Sequence, residues 1–288
     1  MMKAVIGAIL EDSFLSSGYV NLEAREIVQS TVRREKINPR GTKPELLETL
    51  TKTLKEVFDN VPDPQELVVG LGILGPCDYE SGVFQGNDLA RFGSLHDVDL
   101  KQEISSALNI PKSSVRLVND SVCFLRGEVF GGAVRSYSKS IGITLGAGLG
   151  SAIYEFNKVR DANYFRTPFK SGTAEDLLSV AWLTRQFYER TGIPARTILE
   201  MKMHDRPAVL EEVFDLFGHN LAEFLIQVSL DERPEAIIVG GHMQASNKLF
   251  FDKVITKVHA AGISIPILRT YLGEKATILG AASIWSES

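Results

Sequence analysis

Short apolar runs separated by polar or turn-forming residues open the chain. The first two runs are Ala4–Leu10 and Phe14–Val20, with the polar Glu11-Asp12-Ser13 between them, and Glu26–Val32 follows. Apolar runs of this length, bounded by turn signals, are typical of strands. The pattern therefore predicts a β-meander at the start of the chain.

The next segments alternate between helical and strand-like spacing. Leucine, valine and phenylalanine recur every three or four residues over Pro44–Phe58, behind a proline suited to a first helical turn, and Leu67–Ile73 is a continuous apolar run. The same alternation continues to the end and predicts an α/β chain. The later predicted elements are helices near Leu100–Leu108, Ser121–Phe130, Thr173–Tyr188, Pro207–Leu230, Asn247–Ala260 and Ala276–Trp285, and strands Val115–Val118, Ser140–Leu145, Ser151–Phe156, Ala236–Val239 and Ile265–Thr270.

The order of these elements divides the 288 residues into two halves, each opening with a hairpin. We expect an N-terminal α/β lobe over residues 1–120, joined by the C-terminal helix 274–288, and a C-terminal α/β lobe over residues 121–273. No linker rich in Pro or Ser separates the halves, so the boundary should lie in the helix after Asp120. Ligands would then bind in a cleft between the lobes.

Composition and charge exclude several classes of binding partner. The chain is 44% hydrophobic and 23% charged with a net charge of -5, so its overall field attracts neither nucleic acid nor anionic lipid. No stretch approaches the ~18 apolar residues of a membrane span. The two cysteines, Cys77 and Cys123, are too few for a cysteine-rich zinc site, and we expect reduced thiols in the cytoplasm.

Glycine-rich segments at strand ends are the first candidate sites. Gly146–Gly150 lies between two predicted strands, where backbone N–H groups could approach phosphate oxygens, although a plain glycine-rich hairpin has the same composition. Gly240-Gly241 follows an apolar strand and precedes a helix, which suits a nucleotide but is weak alone. Gly75-Pro76 ends the strand before it and could be an ordinary turn.

Val118-Asn119-Asp120-Ser121 marks a strand that runs into a helix. A carboxylate at this junction can point toward a ligand, or it can simply cap the helix. The sequence leaves both interpretations open.

Together these motifs resemble the ROK family of repressors, open reading frames and sugar kinases, over most of the chain. Gly75-Pro76-Cys77-Asp78 with Glu80-Ser81-Gly82 is similar to the family's P-G-P-V-D-x-x-T-G, and Val118-Asn119-Asp120 to its E-N-D-A. Thr144–Gly150 resembles its phosphate loop, while Gly240-Gly241 and Leu279-Gly280-Ala281-Ala282 match its G-G and L-G-A-A. The resemblance implies a two-domain ribonuclease-H-like fold, the actin-like ATPase and sugar kinase fold, with a central cleft.

The resemblance also implies roles for individual residues. Asp120 would be the general base that accepts the proton of a sugar hydroxyl as its oxygen attacks the γ-phosphate of ATP. Asn119, Asn87 and Gly75 would contact the sugar. The residues expected to bind nucleotide and phosphate are Thr144, Gly146, Ala147, Gly148, Gly150, Gly240 and Gly241. ATP with Mg²⁺ and a homodimer, with helix Val213–Leu230 as one possible surface, follow from the same resemblance.

Two family motifs are missing. The Asp of D-x-G-G-T, which positions Mg²⁺, corresponds to Ile9, and its glycines correspond to Glu11 and Asp12. Acidic side chains there would repel a polyphosphate, unless Glu11 or Asp12 itself binds the magnesium. The second loss falls in Asn157–Gly172, where the family's sugar contacts and zinc cysteines are absent, so no zinc is expected.

Three functions remain possible from the sequence. The first is a sugar-kinase-like protein with lost or weakened catalysis that still binds a sugar, a nucleotide or both. The second is an active ATP-dependent hexose or amino-sugar kinase with Asp120 as base. The third, a DNA-binding repressor, is disfavoured because a kinase-like strand starts at Lys3 with no reader helix before it.

Overall fold

The computed structural model describes residues 3–11, 13–61, 66–86 and 91–286, which divide into two compact units. The first unit comprises Met1–Arg135 together with Glu274–Ser288, and the second comprises Ser136–Gly273. The predicted α/β class is confirmed.

The first unit has one main sheet. Strands β1, β5 and β8 are parallel, and their order in the sheet is β3-β2-β1-β5-β8, with β4 paired to β2. The elements are β1 (Lys3–Leu10), β2 (Phe14–Asn21), β3 (Glu26–Ile27), β4 (Arg33–Lys36), α1 (Lys43–Phe58), β5 (Glu66–Ile73), β6 (Cys77–Asp78), β7 (Val83–Phe84), α2 (Leu100–Leu108), β8 (Val115–Asn119) and α3 (Asp120–Phe130).

The second unit has a similar sheet. Its strand order is β11-β10-β9-β14-β15, in which β9, β14 and β15 are parallel and β10 is antiparallel to β9. The remaining elements are β9 (Ser140–Leu145), β10 (Leu149–Glu155), β11 (Lys158–Asp161), β12 (Pro168–Phe169), β13 (Gly172–Thr173), α4 (Ala174–Leu177), α5 (Val180–Thr191), α6 (Ile198–Met203), α7 (Pro207–Glu232), β14 (Ala236–Gly240), α8 (Phe251–Ala260), β15 (Ile267–Arg269) and, in the first unit, α9 (Lys275–Ser283).

Helix α1 shows how local sequence sets an element boundary. Thr42 and Glu45 form a capping box, in which the Glu45 carboxylate accepts a hydrogen bond from the Thr42 N–H at 2.8 Å. This bond lowers the pKa of Glu45. The apolar face of the helix then buries Leu46, Leu50 and Leu54 in the core of the first unit.

The division between the units falls later in the chain than we expected from the sequence. We placed it at Asp120, but the structure places it between Arg135 and Ser136, so α3 lies in the first unit. The reason is a close helix crossing: a Cβ on Gly127 of α3 would lie only 1.8 Å from the carbonyl oxygen of Ala276 in α9. The two helices can approach this closely because both carry glycine at the crossing.

Helix α7 is a core element of the second unit. Its side chains at Phe214, Phe217, Leu221 and Phe224 are fully buried. Among the described large apolar residues of this helix, only Leu216 and Leu230 are exposed. The helix therefore fills the interior rather than presenting the broad apolar surface that we considered for a homodimer.

Replacing Gly280 by alanine should destabilise the first unit. The added Cβ would lie 1.7 Å from the carbonyl oxygen of Cys123, so α3 and α9 would have to move apart. Such overpacking costs about 1–3 kcal/mol. Urea unfolding measures the loss, and Gly146→Ala is a matched control because its Cβ would approach only His242, at 3.5 Å. Equal midpoints for the two variants would contradict the close crossing.

Candidate functional site

The ends of the parallel strands bring several predicted site residues to one edge of the first sheet. Leu10 of β1 pairs with Ile73 of β5, and Ile73 pairs with Asn119 of β8. The residues that follow these strands therefore share this edge. Ligands bind outside the carboxyl ends of the strands in open α/β sheets.

Asn119 and Asp120 begin helix α3. The Asn119 Oδ1 accepts hydrogen bonds from the N–H groups of Ser121 at 2.9 Å and Val122 at 3.3 Å, and from the Ser121 hydroxyl at 2.5 Å. Asn119 is thus the helix cap, and its neighbour Asp120 is half-buried in the first turn.

The turn after Gly75 carries a residue that the sequence analysis missed. The Tyr79 hydroxyl accepts a hydrogen bond from the Asn119 Nδ2 at 3.2 Å and donates one to the Ile73 carbonyl at 3.3 Å. Asp78 in the same turn accepts bonds from the N–H groups of Glu80 and Ser81, and its pKa is lowered by hydrogen bonds from Ser81. The carboxylate of Asp78 therefore fixes the turn.

Position 9 in β1, where the family motif has its metal-orienting Asp, offers no ligand for magnesium. Ile9 stands at the metal-orienting position and is fully buried, where it packs beside Gly72 and Cys123. A hydrocarbon side chain provides no oxygen ligand, so this position does not fit Mg²⁺. Burial raises the pKa of the Cys123 thiol, which stays protonated.

Two of the predicted site residues, Asp12 and Asn87, lie outside the described residues. Glu11 is described and half-buried, and its N–H donates to the Phe14 carbonyl at 2.9 Å, which closes the turn. Of the two acidic residues in this turn, Glu11 and Asp12, the structure describes only Glu11.

The second unit gathers its glycine motifs at one sheet edge as well. Thr144 of β9 pairs with Gly240, the last residue of β14, so the loop after Leu145 lies next to Gly240 and Gly241. Gly241 has φ +92°, and a Cβ there would lie 2.5 Å from the Leu145 carbonyl oxygen. Gly241 is required for this close approach of two backbones.

The loop Gly146–Gly148 exposes backbone donors. Within the described residues, the N–H groups of Ala147 and Gly148 have no protein acceptor, and Ala147 is exposed. Successive free N–H groups of this kind form a concave anion site. The second strand of the hairpin, β10, begins at Leu149, and Gly150 pairs with Thr144.

Glu175 braces this loop, although nothing in the sequence pattern indicated it. One carboxylate oxygen, Oε2, accepts the Leu149 N–H at 2.9 Å and leaves no room for a side chain at Gly148, whose Cβ would lie 2.4 Å away. The Gly146 carbonyl accepts the Val180 N–H at 2.9 Å. Both ends of the loop are therefore fixed by the segment around α4.

On the sequence-based expectation that this loop binds nucleotide phosphate, removing the brace should weaken that binding. Glu175→Ala frees the Leu149 N–H, and we expect a three- to tenfold weaker affinity for AMPPNP, about the effect of one hydrogen bond. Glu175→Gln keeps an acceptor for the Leu149 N–H and removes a carboxylate charge beside the loop, so it should bind AMPPNP at least as tightly as the wild type. Calorimetric titration measures the affinity of both variants for AMPPNP. Glu212→Ala is the control, because it removes a glutamate that forms an exposed ion pair with Arg190. Equal affinities for all three variants would contradict the brace.

The segment that replaces the family's zinc motif forms short strands. Residues 157–172 include β11 and β12, and β13 begins at Gly172. The expectation that no zinc binds here stays a prediction. Cys77 and Cys123 are both free thiols. Within the described residues, no helix combines the length and apolar character needed to cross a membrane.

The sequence of this chain is similar to those of known sugar kinases. Residues 20–161 match the family model of the ROK family. A glucokinase from Thermotoga maritima is 25% identical over 323 aligned positions, which cover 98% of this chain and 97% of that protein. An N-acetyl-D-glucosamine kinase from Yersinia pseudotuberculosis is also 25% identical, over 74% of this chain and 76% of its own length.

Solved structures show the same fold. A ROK family glucokinase from Streptomyces griseus, in complex with glucose and AMPPNP, superposes with a TM-score of 0.77 at 20% identity, covering 99% of this chain and 100% of that chain. A ROK hexokinase from Thermus thermophilus gives a TM-score of 0.75 at 18% identity, with 96% of each chain covered. The predicted resemblance is confirmed: this is a sugar-kinase-like chain that matches the ROK family over residues 20–161 and has the two-domain, actin-like ATPase fold.

Proposed function

We propose that the protein binds a sugar and an adenine nucleotide, and that its phosphoryl transfer is lost or much weaker than in a kinase with the D-x-G-G-T motif. The observation that carries this proposal is the burial of Ile9, at the position where the motif places its metal-orienting Asp. Phosphoryl transfer depends mainly on positioning and on stabilising negative charge. A turn with Glu11 and Asp12 in place of glycines adds negative charge instead.

The residues kept by the chain support binding of both substrates. Asn119 and Asp120 lie at the edge of the first sheet where its parallel strands end. There Asn119 would donate a hydrogen bond to one sugar hydroxyl, and Asp120 would accept the proton of a second sugar hydroxyl. In the second unit, the free N–H groups of Ala147 and Gly148 would contact phosphate oxygens. We assign Thr144, Gly150 and Gly240 to the backbone that holds this loop.

The second candidate is an active ATP-dependent hexose or amino-sugar kinase. The observation that favours it is the intact pair Asn119-Asp120 at the start of α3, with the Asp120 carboxylate half-buried. In this case Glu11 or Asp12 would bind the magnesium of the nucleotide. The names of the relatives suggest glucose and N-acetylglucosamine as substrates.

Calorimetric titration with D-glucose and N-acetyl-D-glucosamine, each with and without AMPPNP and Mg²⁺, tests the proposal. We expect a saturable heat for at least one sugar in the wild type. Asp120→Ala should bind that sugar more weakly, because a hydroxyl loses its acceptor. Titrations that show no binding of either sugar or of AMPPNP would contradict the proposal.

Two further features stay predictions. A homodimer follows from the resemblance, and analytical ultracentrifugation measures it. A cytoplasmic location is consistent with the free thiols of Cys77 and Cys123.

A further inference from the structure

Tyr79 lies on a turn whose shape is fixed by its own hydrogen bonds. The Gly82 N–H donates to the Asp78 carbonyl at 2.8 Å, and the Asp78 carboxylate accepts from Glu80 and Ser81. The Lys101 ammonium donates to the Glu80 carbonyl. The phenol ring is therefore held in one place, half-buried, rather than on a loose loop.

The hydroxyl of Tyr79 meets two of the residues assigned to sugar binding. It accepts from the Asn119 Nδ2 at 3.2 Å, and a Cβ on Gly75 would lie 3.1 Å from it. Glycine at position 75 therefore leaves room for the phenol hydroxyl. Its bond to the Ile73 carbonyl also ties it to the end of β5.

The hydrogen bond to Tyr79 limits which groups of the Asn119 side chain remain to bind a ligand. The Oδ1 of Asn119 already accepts from three donors, the N–H groups of Ser121 and Val122 and the Ser121 hydroxyl. The amide nitrogen carries two hydrogens, of which one is directed to Tyr79. Asn119 can then act toward a ligand through its second N–H only, as a donor in a fixed direction.

We propose that Tyr79 is a positioning residue that sets sugar affinity through Asn119. It holds the side-chain amide so that its remaining N–H donates to one hydroxyl of a sugar, while the hydroxyl that is to react donates to Asp120. This inference rests on the proposed function, because it requires that a sugar binds beside Asn119.

The test compares Tyr79→Phe with Tyr154→Phe. Both variants lose one tyrosine hydroxyl that bonds to an asparagine, since the Tyr154 hydroxyl donates to the Asn157 Oδ1 at 3.1 Å on a hairpin of the second unit. Calorimetric titration with D-glucose, N-acetyl-D-glucosamine and 2-deoxy-D-glucose gives the Kd for each sugar, and titration with AMPPNP gives a second Kd. Thermal unfolding without ligand measures the stability of each variant.

We expect Tyr79→Phe to weaken binding of the preferred sugar about three- to tenfold, the effect of losing one oriented hydrogen bond. Its Kd for AMPPNP should stay unchanged, and Tyr154→Phe should change neither constant. A merely structural role would lower the unfolding temperature and weaken both ligands together, which would overturn the inference.

Failure of the inference differs from failure of the proposed function. If the wild type binds a sugar and Tyr79→Phe binds it equally well, Tyr79 has no positioning role, while the proposed function stands. If the wild type binds none of the three sugars, both are overturned.

Discussion

Replacing Glu11 and Asp12 together by glycine is expected to tighten ATP binding at least tenfold and to raise the rate of phosphoryl transfer. Under the proposed function, the phosphate groups of the nucleotide would approach this turn, as the family motif implies. A carboxylate about 4 Å from a phosphate charge costs between about 1 kcal/mol in water and about 4 kcal/mol near a protein surface. A tenfold gain in affinity needs only about 1.4 kcal/mol. Calorimetry with AMPPNP and coupled ADP release measure the two effects.

A second variant separates charge from bulk. Glu11→Gln with Asp12→Asn removes the charges but keeps the side chains, so an electrostatic cause predicts most of the gain in affinity for this variant too. Glu35→Gln is a control for the loss of a surface carboxylate on the neighbouring strand β4. An unchanged or weaker affinity for ATP in both double variants would contradict the account.

Replacing Asp120 by asparagine in the glycine variant should abolish the regained activity. The amide cannot accept the hydroxyl proton, and loss of a positioned general base lowers rates about 10²- to 10⁴-fold. Sugar binding should weaken far less, because asparagine still offers an oxygen acceptor. Coupled ADP release gives the rate, and calorimetry gives the sugar affinity.

A matched control is available at another helix start. Asp99 caps α2 by accepting the Gln102 N–H at 2.9 Å, so Asp99→Asn makes the same chemical change at a cap outside the proposed site. We expect Asp99→Asn to keep the rate of the glycine variant. Equal rates for the Asp120 and Asp99 variants would rule out Asp120 as the base.

The strong apolar patterns predicted most strands and helices of the fold. The continuous apolar run Leu67–Ile73 predicted a strand, and the structure has β5 there. The helical spacing over Pro44–Phe58 predicted a helix, and the structure has α1 there. The pairing of β1, β5 and β8 then follows from the usual order of parallel strands. Motif positions at strand ends were therefore predictable.

Element boundaries that depend on single capping groups were not predictable. We expected one helix over Thr173–Tyr188, but the structure has α4 and α5. Leu178 leaves helical geometry, and the Ser179 hydroxyl caps α5 by accepting the Trp182 N–H. A 3₁₀ segment, His242–Leu249, likewise precedes α8. A hydrophobic pattern alone does not distinguish these cases.

Side chains that act through tertiary contacts also escaped the sequence analysis. Glu175 lies in a capping sequence that suggests only a helix start, and Tyr79 stands at a position where the family motif specifies no residue. Their contacts with the Leu149 N–H and with Asn119 depend on the fold. The structure also gives packing reasons for Gly148 and Gly241, whose added Cβ atoms would collide with Glu175 and with Leu145.

The rate of ADP release by the wild type, over a panel that includes D-glucose and N-acetyl-D-glucosamine, tests the central claim most directly. The account predicts turnover that is absent, or at least about 10²-fold below that of the variant with glycine at positions 11 and 12. Sugar-dependent turnover by the wild type in the ordinary range for kinases, about 1–100 s⁻¹, would contradict it.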